Sequence, residues 1–221
     1  MTDAFRPRRS VLYMPAANER ALEKAKSIPC DAIIFDLEDA VAPDAKERAR
    51  AQAVAAVSSG AYGHRELTIR INGLDTPWGV DDLTGVATSA AAAVVVPKVS
   101  GPGELDDLSE RLDRAGAPAH LAIWPMVETP AAVLAAGAIA GHSRTGVLVV
   151  GTNDLARELR ADLVPGRHPL VPHLATILLA ARHAGVVVVD GVFNDIKDED
   201  GFAAECRQGH EMGFDGKTLI H

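Results

Sequence analysis

The chain has 221 residues, 48% of them hydrophobic, and a formal net charge of −8 at pH 7. That apolar content suffices for one substantial core and argues against disorder. The acidic balance speaks against a nucleic-acid-binding or anionic-membrane surface, so an anionic ligand must be met by specific cations. Apolar runs are broken by Arg, Asp, Gly or Pro well short of the roughly 20 residues a membrane span needs. No signal-peptide pattern follows the basic residues near the N-terminus, and Cys30 and Cys206 stand alone without CxxC spacing. The expectation is a reduced, cytoplasmic, single-domain protein.

In chain order, strands are predicted at 10–14, 32–37, 67–71, 93–97, 121–127, 146–150, 186–189 and 218–220, and helices at 19–27, 45–58, 103–115, 130–140, 171–183 and 200–212. Several strand runs are continuously apolar rather than alternating, as expected of parallel strands buried on both faces. Eight strands with intervening helices fit an α/β fold of the (β/α)₈ TIM-barrel type better than an open doubly wound sheet. The charged stripe Asp44, Lys46, Glu47, Arg48 and Arg50 on the second helix reads as a solvated face without function. Segment 160–172, with three prolines, reads as an ordered surface excursion. The eighth strand reaches the last residues, so a longer polypeptide carrying an eighth helix is expected.

A TIM barrel places reactive groups at the C-terminal ends of its strands. Strand two ends in Asp36 and Glu38, which a period of two places in one direction. Strand three ends in Arg70 and Asn72, strand four in Lys98, strand five in Glu128, and strand six in Gly151-Thr152-Asn153-Asp154. Glu128 and Asp154, closing successive strands, are placed to converge on one hard cation such as Mg²⁺, whose open positions accept a bidentate oxyanion. The competing role for Asp154 is to cap the helix it opens. The planar fork of Arg70 suits a substrate carboxylate or enolate oxygen, and equally an ion pair with Asp36 or Glu38; the two roles can coexist. Gly151, Thr152 and Asn153 either present backbone N–H groups to a substrate carboxylate or form a tight turn. Lys98 either attracts an anion or pairs with an acid, and Trp78 either lids the cavity or packs beneath a loop. The histidines lack HxH and HExxH spacing, and GxSxG, P-loop and GxGxxG sequences are absent.

Taken in order, Arg9-Ser10-Val11-Leu12-Tyr13-Met14-Pro15-Ala16, Phe35-Asp36-Leu37-Glu38-Asp39-Ala40-Val41, Ile69-Arg70-Ile71-Asn72, Val96-Pro97-Lys98, Glu128-Thr129-Pro130, Gly151-Thr152-Asn153-Asp154-Leu155 and Gly213-Phe214-Asp215-Gly216-Lys217-Thr218-Leu219-Ile220-His221 resemble the citrate lyase β-subunit-like branch of the HpcH/HpaI aldolase family. The resemblance implies a Mg²⁺-dependent TIM barrel that cleaves or forms a carbon–carbon bond in 3-hydroxyacyl-CoA thioesters of malyl, citramalyl or citryl type. The products are an acyl-CoA and a 2-oxo acid. By matching motifs, Glu128 and Asp154 take the metal positions and Arg70 the substrate-oxygen position. Asp36 and Glu38 fall where family acids hold metal-bound water or orient the arginine, and either is a candidate base. Arg9 and Arg20 are candidates for the CoA phosphates. The resemblance further implies a homotrimer, with a C-terminal segment beyond His221 reaching a neighbouring subunit's site and often supplying an acid. The alternatives are a CoA-independent hydroxy-diacid aldolase and a non-catalytic ligand-binding or complex-forming barrel.

Overall fold

The structure, a computed structural model, describes residues 6–221. Eight strands, β1 (Ser10–Pro15), β2 (Ala32–Asp36), β3 (Glu66–Arg70), β4 (Ala93–Val96), β5 (Ala122–Val127), β6 (Val147–Val150), β7 (Val187–Asp190) and β8 (Gly216–Leu219), form a closed barrel in sequence order. Every neighbouring pair is parallel, and β1 closes on β8 with Val11 opposite Thr218. Gly216 makes that seam feasible, because a Cβ there would collide with the Arg8 carbonyl.

The continuous apolar runs arise because each strand faces two cores. One alternate set fills the barrel, with Val11, Ile34, Val95, Trp124, Met126 and Val149 among its members. The other set, including Leu12, Ile33, Phe35 and Ile69, packs against the helices. Continuing the inward set one step past the apolar layer brings it to Tyr13 on β1, Asp36 on β2, Arg70 on β3, Glu128 after β5 and Gly151 after β6. Pleating alone thus delivers charged side chains to the C-terminal mouth. At the opposite end Arg8 forks onto Glu66, at 2.6 and 2.9 Å, and its guanidinium stacks over Trp124.

The helical layer comprises α1 (Glu19–Ala25), α2 (Lys46–Ser58), α3 (Gly79–Ala87), α4 (Pro102–Arg114), α5 (Pro130–Leu134), α6 (Ala136–Ala140), α7 (Thr152–Leu159), α8 (Val171–Ala184) and α9 (Glu199–Met212). Two differences from the sequence reading stand out. Helix α3 follows Trp78 where no helix was predicted; its two glycines, Gly79 and Gly85, weaken the local signal, and Leu83 and Val86 bury it against the core. Helix α7 begins directly after β6, so Thr152, Asn153 and Asp154 occupy its first turn. Among the described residues no helix is long and apolar enough to cross a membrane.

Candidate active site

The mouth encloses a cavity of about 360 Å³ whose walls include Tyr13, Asp36, Arg70, Glu128, Asp154 and Thr218. Arg70 is its best-held group. Nε and Nη2 donate to the two oxygens of Asp36 at 2.7 Å each, and Nη1 lies 2.8 Å from Glu38 Oε2. The guanidinium also stacks on Tyr13, 4.9 Å from the ring centroid. Burial alone would depress the Arg70 pKa, but its surroundings, Asp36 foremost with Glu38 adding to it, outweigh burial and hold the cation charged. The ion-pair role foreseen for Arg70 is therefore present with both acids. Arg70 lines the cavity wall, and its Nη1 also lies 3.9 Å from the Met126 sulfur.

Asp36 and Glu38 are not equivalent. Asp36 accepts the Arg70 fork and the backbone N–H groups of Glu38 and Ala40, at 2.9 and 3.1 Å, so both its oxygens are occupied. Glu38 lies beyond the end of β2, where alternation no longer governs direction, and opens on an adjoining cleft of about 590 Å³ shared with Lys98. Burial raises the Glu38 carboxyl pKa, with Arg70 and Lys98 opposing it.

Behind these acids lies a network that the sequence reading missed. Lys46, the first residue of α2, is buried. Its ammonium donates to Leu37 O at 2.8 Å, Glu38 O at 2.7 Å and Asn72 Oδ1 at 2.7 Å, and sits 5.2 Å from the Trp78 ring centroid. Asn72 in turn donates to Asp82 at 2.6 Å, and Asp82 accepts from Arg50 at 2.7 Å. The stripe on α2 expected to face solvent thus contributes two cations to interior pairs, and Trp78 packs as a platform beneath Lys46. Tyr13 was also missed. Its phenol, pushed up in pKa by burial, stays neutral, and among the described residues its hydroxyl meets only the Met126 sulfur, at 3.9 Å.

Glu128 is 1% exposed. Among the described residues one N–H, that of Lys98 at 2.7 Å, donates to its carboxylate. Gly151 lets the next strand's end approach, since a Cβ there would collide with Glu128 Oε2. Burial first, opposed by that amide and reinforced by Asp154 and Glu38, pushes the Glu128 pKa up to about 7. Asp154 lines the same cavity and pairs with Arg157 one turn along α7. Thr152 is buried at the start of α7 and lines the cavity, and among the described residues no side chain caps this helix N-terminus. Asn153 lines the cavity wall and exchanges side-chain hydrogen bonds with Asn194, at 2.7 and 3.0 Å.

The donor set fits Mg²⁺. Two carboxylates reach one cavity; burial, with Asp154 adding to it, disfavours the charge on Glu128, and a divalent cation would favour it. Among the described residues no group of three or more His, Cys, Asp or Glu forms a metal cage, which leaves room for ligands from solvent and substrate.

Two features fall outside the mouth. Arg9 stands at the N-terminal end of β1 and pairs bidentately with Asp31, at 2.8 Å, so the proposed phosphate contact is displaced to the wrong end of the barrel. Arg20 lies exposed on the first turn of α1, on the mouth side. A second buried charge cluster joins Arg167 and Lys217 to Asp190 and Glu205 behind β7 and β8.

Over its whole length the chain is 48% identical to the (3S)-malyl-CoA thioesterase of Cereibacter sphaeroides, covering 75% of that protein. It is 34% identical to the citrate lyase subunit beta of Escherichia coli, over 98% of this chain and 74% of that one. Its fold matches the citrate lyase beta subunit from M. tuberculosis complexed with oxaloacetate and magnesium, with a TM-score of 0.81 and 28% identity over 97% of this chain and 92% of that one. The HpcH/HpaI aldolase/citrate lyase family matches residues 9–221. With the barrel and its acidic mouth, these likenesses establish that the chain belongs to the HpcH/HpaI aldolase/citrate lyase family of enzymes.

Proposed function

We propose that this protein is a Mg²⁺-dependent carbon–carbon lyase acting on a malyl-, citramalyl- or citryl-type CoA thioester, in the cleavage or condensation direction. The observation that carries this reading is the pairing of opposite demands in one cavity: an underneutralised acid pair, Glu128 and Asp154, facing a fixed guanidinium, Arg70. A substrate with a hydroxyl beside a carboxylate chelates a cation at the first and presents an oxygen to the second. The magnesium and oxaloacetate bound by the M. tuberculosis relative support the same assignment.

When bound, Mg²⁺ supplies the Lewis-acid charge that lowers the hydroxyl pKa and offsets negative charge on the reacting oxygens. Glu128 and Asp154 would hold it. Arg70 donates to a substrate oxygen, with Asp36 and Glu38 fixing its orientation. The amides of the first turn of α7, from Thr152 and Asn153, face a substrate carboxylate. Cleavage removes the hydroxyl proton, breaks the bond between the hydroxyl-bearing carbon and the thioester α-carbon, and leaves the electron pair on a thioester enolate that is protonated at carbon. Asp36 is saturated and Glu38 opens on the neighbouring cleft, so both serve Arg70 and the hydroxyl proton goes to an acceptor outside this pair. The family resemblance gives that role to an acid from a neighbouring subunit of a homotrimer.

Hydrolysis is the second reading, favoured by the name of the relatives at 48% identity. Water adds to the thioester carbonyl, the C–S bond breaks, and the thiol leaves with a proton. Mass spectrometry of products from (3S)-malyl-CoA with Mg²⁺ separates the two: glyoxylate with acetyl-CoA for the lyase, malate with free CoA for the hydrolase. Equal cleavage of free hydroxy acids would indicate a CoA-independent aldolase, and Mg²⁺ binding without turnover a non-catalytic barrel.

A further inference from the structure

Lys98 follows Pro97 where the chain leaves β4, and its φ is +52°, a left-handed conformation that residues with a Cβ rarely adopt. Such strain persists when surrounding contacts over-determine it. Here the contacts come from two directions. The Lys98 backbone N–H donates to Glu128 Oε1 at 2.7 Å, and its Nζ lies 3.2 Å from Glu38 Oε1. Glu38 continues to Arg70 at 2.8 Å, and Arg70 to Asp36. One residue therefore touches both the acid pair and the guanidinium cluster, through different atoms. An ordinary strand-end lysine would explain the ion pair with Glu38, since half-exposed pairs of this kind are common and weak. It would not explain why the backbone is turned into a disfavoured region to bring its amide to Glu128.

We propose that Lys98 is a positioning residue that sets the two halves of the site relative to one another: its backbone amide aims Glu128 at the cation position, and its ammonium holds Glu38 against Arg70. The first half rests on the reading of Glu128 as a metal ligand.

Because the two contacts use different atoms, substitutions separate them. Lys98→Gly removes the ammonium but accepts the left-handed backbone, whereas Lys98→Val removes the ammonium and resists that backbone. Mg²⁺ affinity is read by titration calorimetry on the purified protein, independently of turnover, and kcat and KM are read with (3S)-malyl-CoA. The glycine variant is expected to bind Mg²⁺ within about twofold of wild type and the valine variant about tenfold more weakly, a difference set by backbone conformation alone. Both should lose roughly tenfold in kcat, and Lys98→Arg should recover most of that loss because its fork still reaches Glu38. Equal Mg²⁺ affinity in the glycine and valine variants overturns the amide role, and wild-type kcat in the glycine variant overturns the ammonium role. Should the valine variant fail to fold by circular dichroism, Lys98→Ala makes the same comparison with glycine. Absence of Mg²⁺ binding by the wild-type protein would instead remove Glu128 as a ligand, a failure distinct from a loss of contrast among the variants.

Discussion

The two sides of the barrel mouth are built on opposite principles. On the β2–β4 side each buried charge is answered: Arg70 by Asp36 and Glu38, Glu38 also by Lys98, Lys46 by two carbonyls and Asn72, and Asp82 by Arg50. On the β5–β6 side Glu128 is equally buried but receives a single backbone N–H, and Asp154 adds like charge beside it. Completing the first side required residues from two strands, two helices and three loops. The second leaves a deficit that a cation corrects. The contrast separates what the chain preorganises, a donor for substrate oxygen, from what it leaves for a ligand to finish.

The sharpest way to break this contrast is to remove charge from the incomplete side. Glu128→Gln and Asp154→Asn should each lower Mg²⁺-supported turnover by about a thousandfold or more, roughly 4 kcal/mol in barrier, with the fold intact. Calorimetry should show the loss of metal binding, and retained affinity and rate in both would return these acids to capping and packing roles.

The same Glu128 substitution should have the reverse effect on metal-free stability. The folded carboxyl pKa is raised from 4.5 to about 7, so between those values the folded state holds the extra proton and stability falls as pH rises. Glutamine does not titrate. In EDTA the variant should match wild type most closely near pH 4 and exceed it above pH 7 by on the order of 3 kcal/mol. Thermal melts at pH 5 and pH 8 measure this; a gap that does not widen with pH would contradict it.

Breaking the completed side should cost stability. Lys46→Met leaves the carbonyls of Leu37 and Glu38 and the Asn72 oxygen without their donor, a loss of about 2 kcal/mol that urea unfolding would register. Arg70→Lys keeps charge but loses the fork, and should slow turnover at least about tenfold, or roughly 1.4 kcal/mol. A wild-type rate would leave Arg70 a structural role only. Arg9→Ala, at the far end of the barrel, should leave KM for the thioester unchanged; a raised KM would place the Asp31 pair in substrate binding after all.

Much of this was legible in the sequence because a parallel barrel ties side-chain direction and strand polarity to position. Eight apolar runs and polar residues at their C-terminal ends were enough to bring Asp36, Arg70, Glu128 and Asp154 to one mouth. Tyr13 followed from the same alternation, two residues after inward-facing Val11. The error over Arg9 was avoidable too, since a strand running from 10 toward its mouth places residue 9 at the opposite end. Lys46 and Arg50 were hidden for a deeper reason. A helical pattern shows which residues share a face but not what packs on it, and their partners Asn72 and Asp82 arrive only after another strand. Likewise, the period of two expires with β2 at Asp36, so it could not separate the cavity from the cleft that receives Glu38.

The seam between β1 and β8 has a consequence for how the enzyme comes into being. Ser10 pairs opposite Lys217, partners about two hundred residues apart, so the ring stays open on a ribosome until its final strand has emerged. Before then the acids and Arg70 already exist on a growing sheet, but without the curvature that makes them face one another. A nascent chain is therefore expected to acquire metal affinity late and abruptly, when Gly216 passes the Arg8 carbonyl and the last gap zips shut.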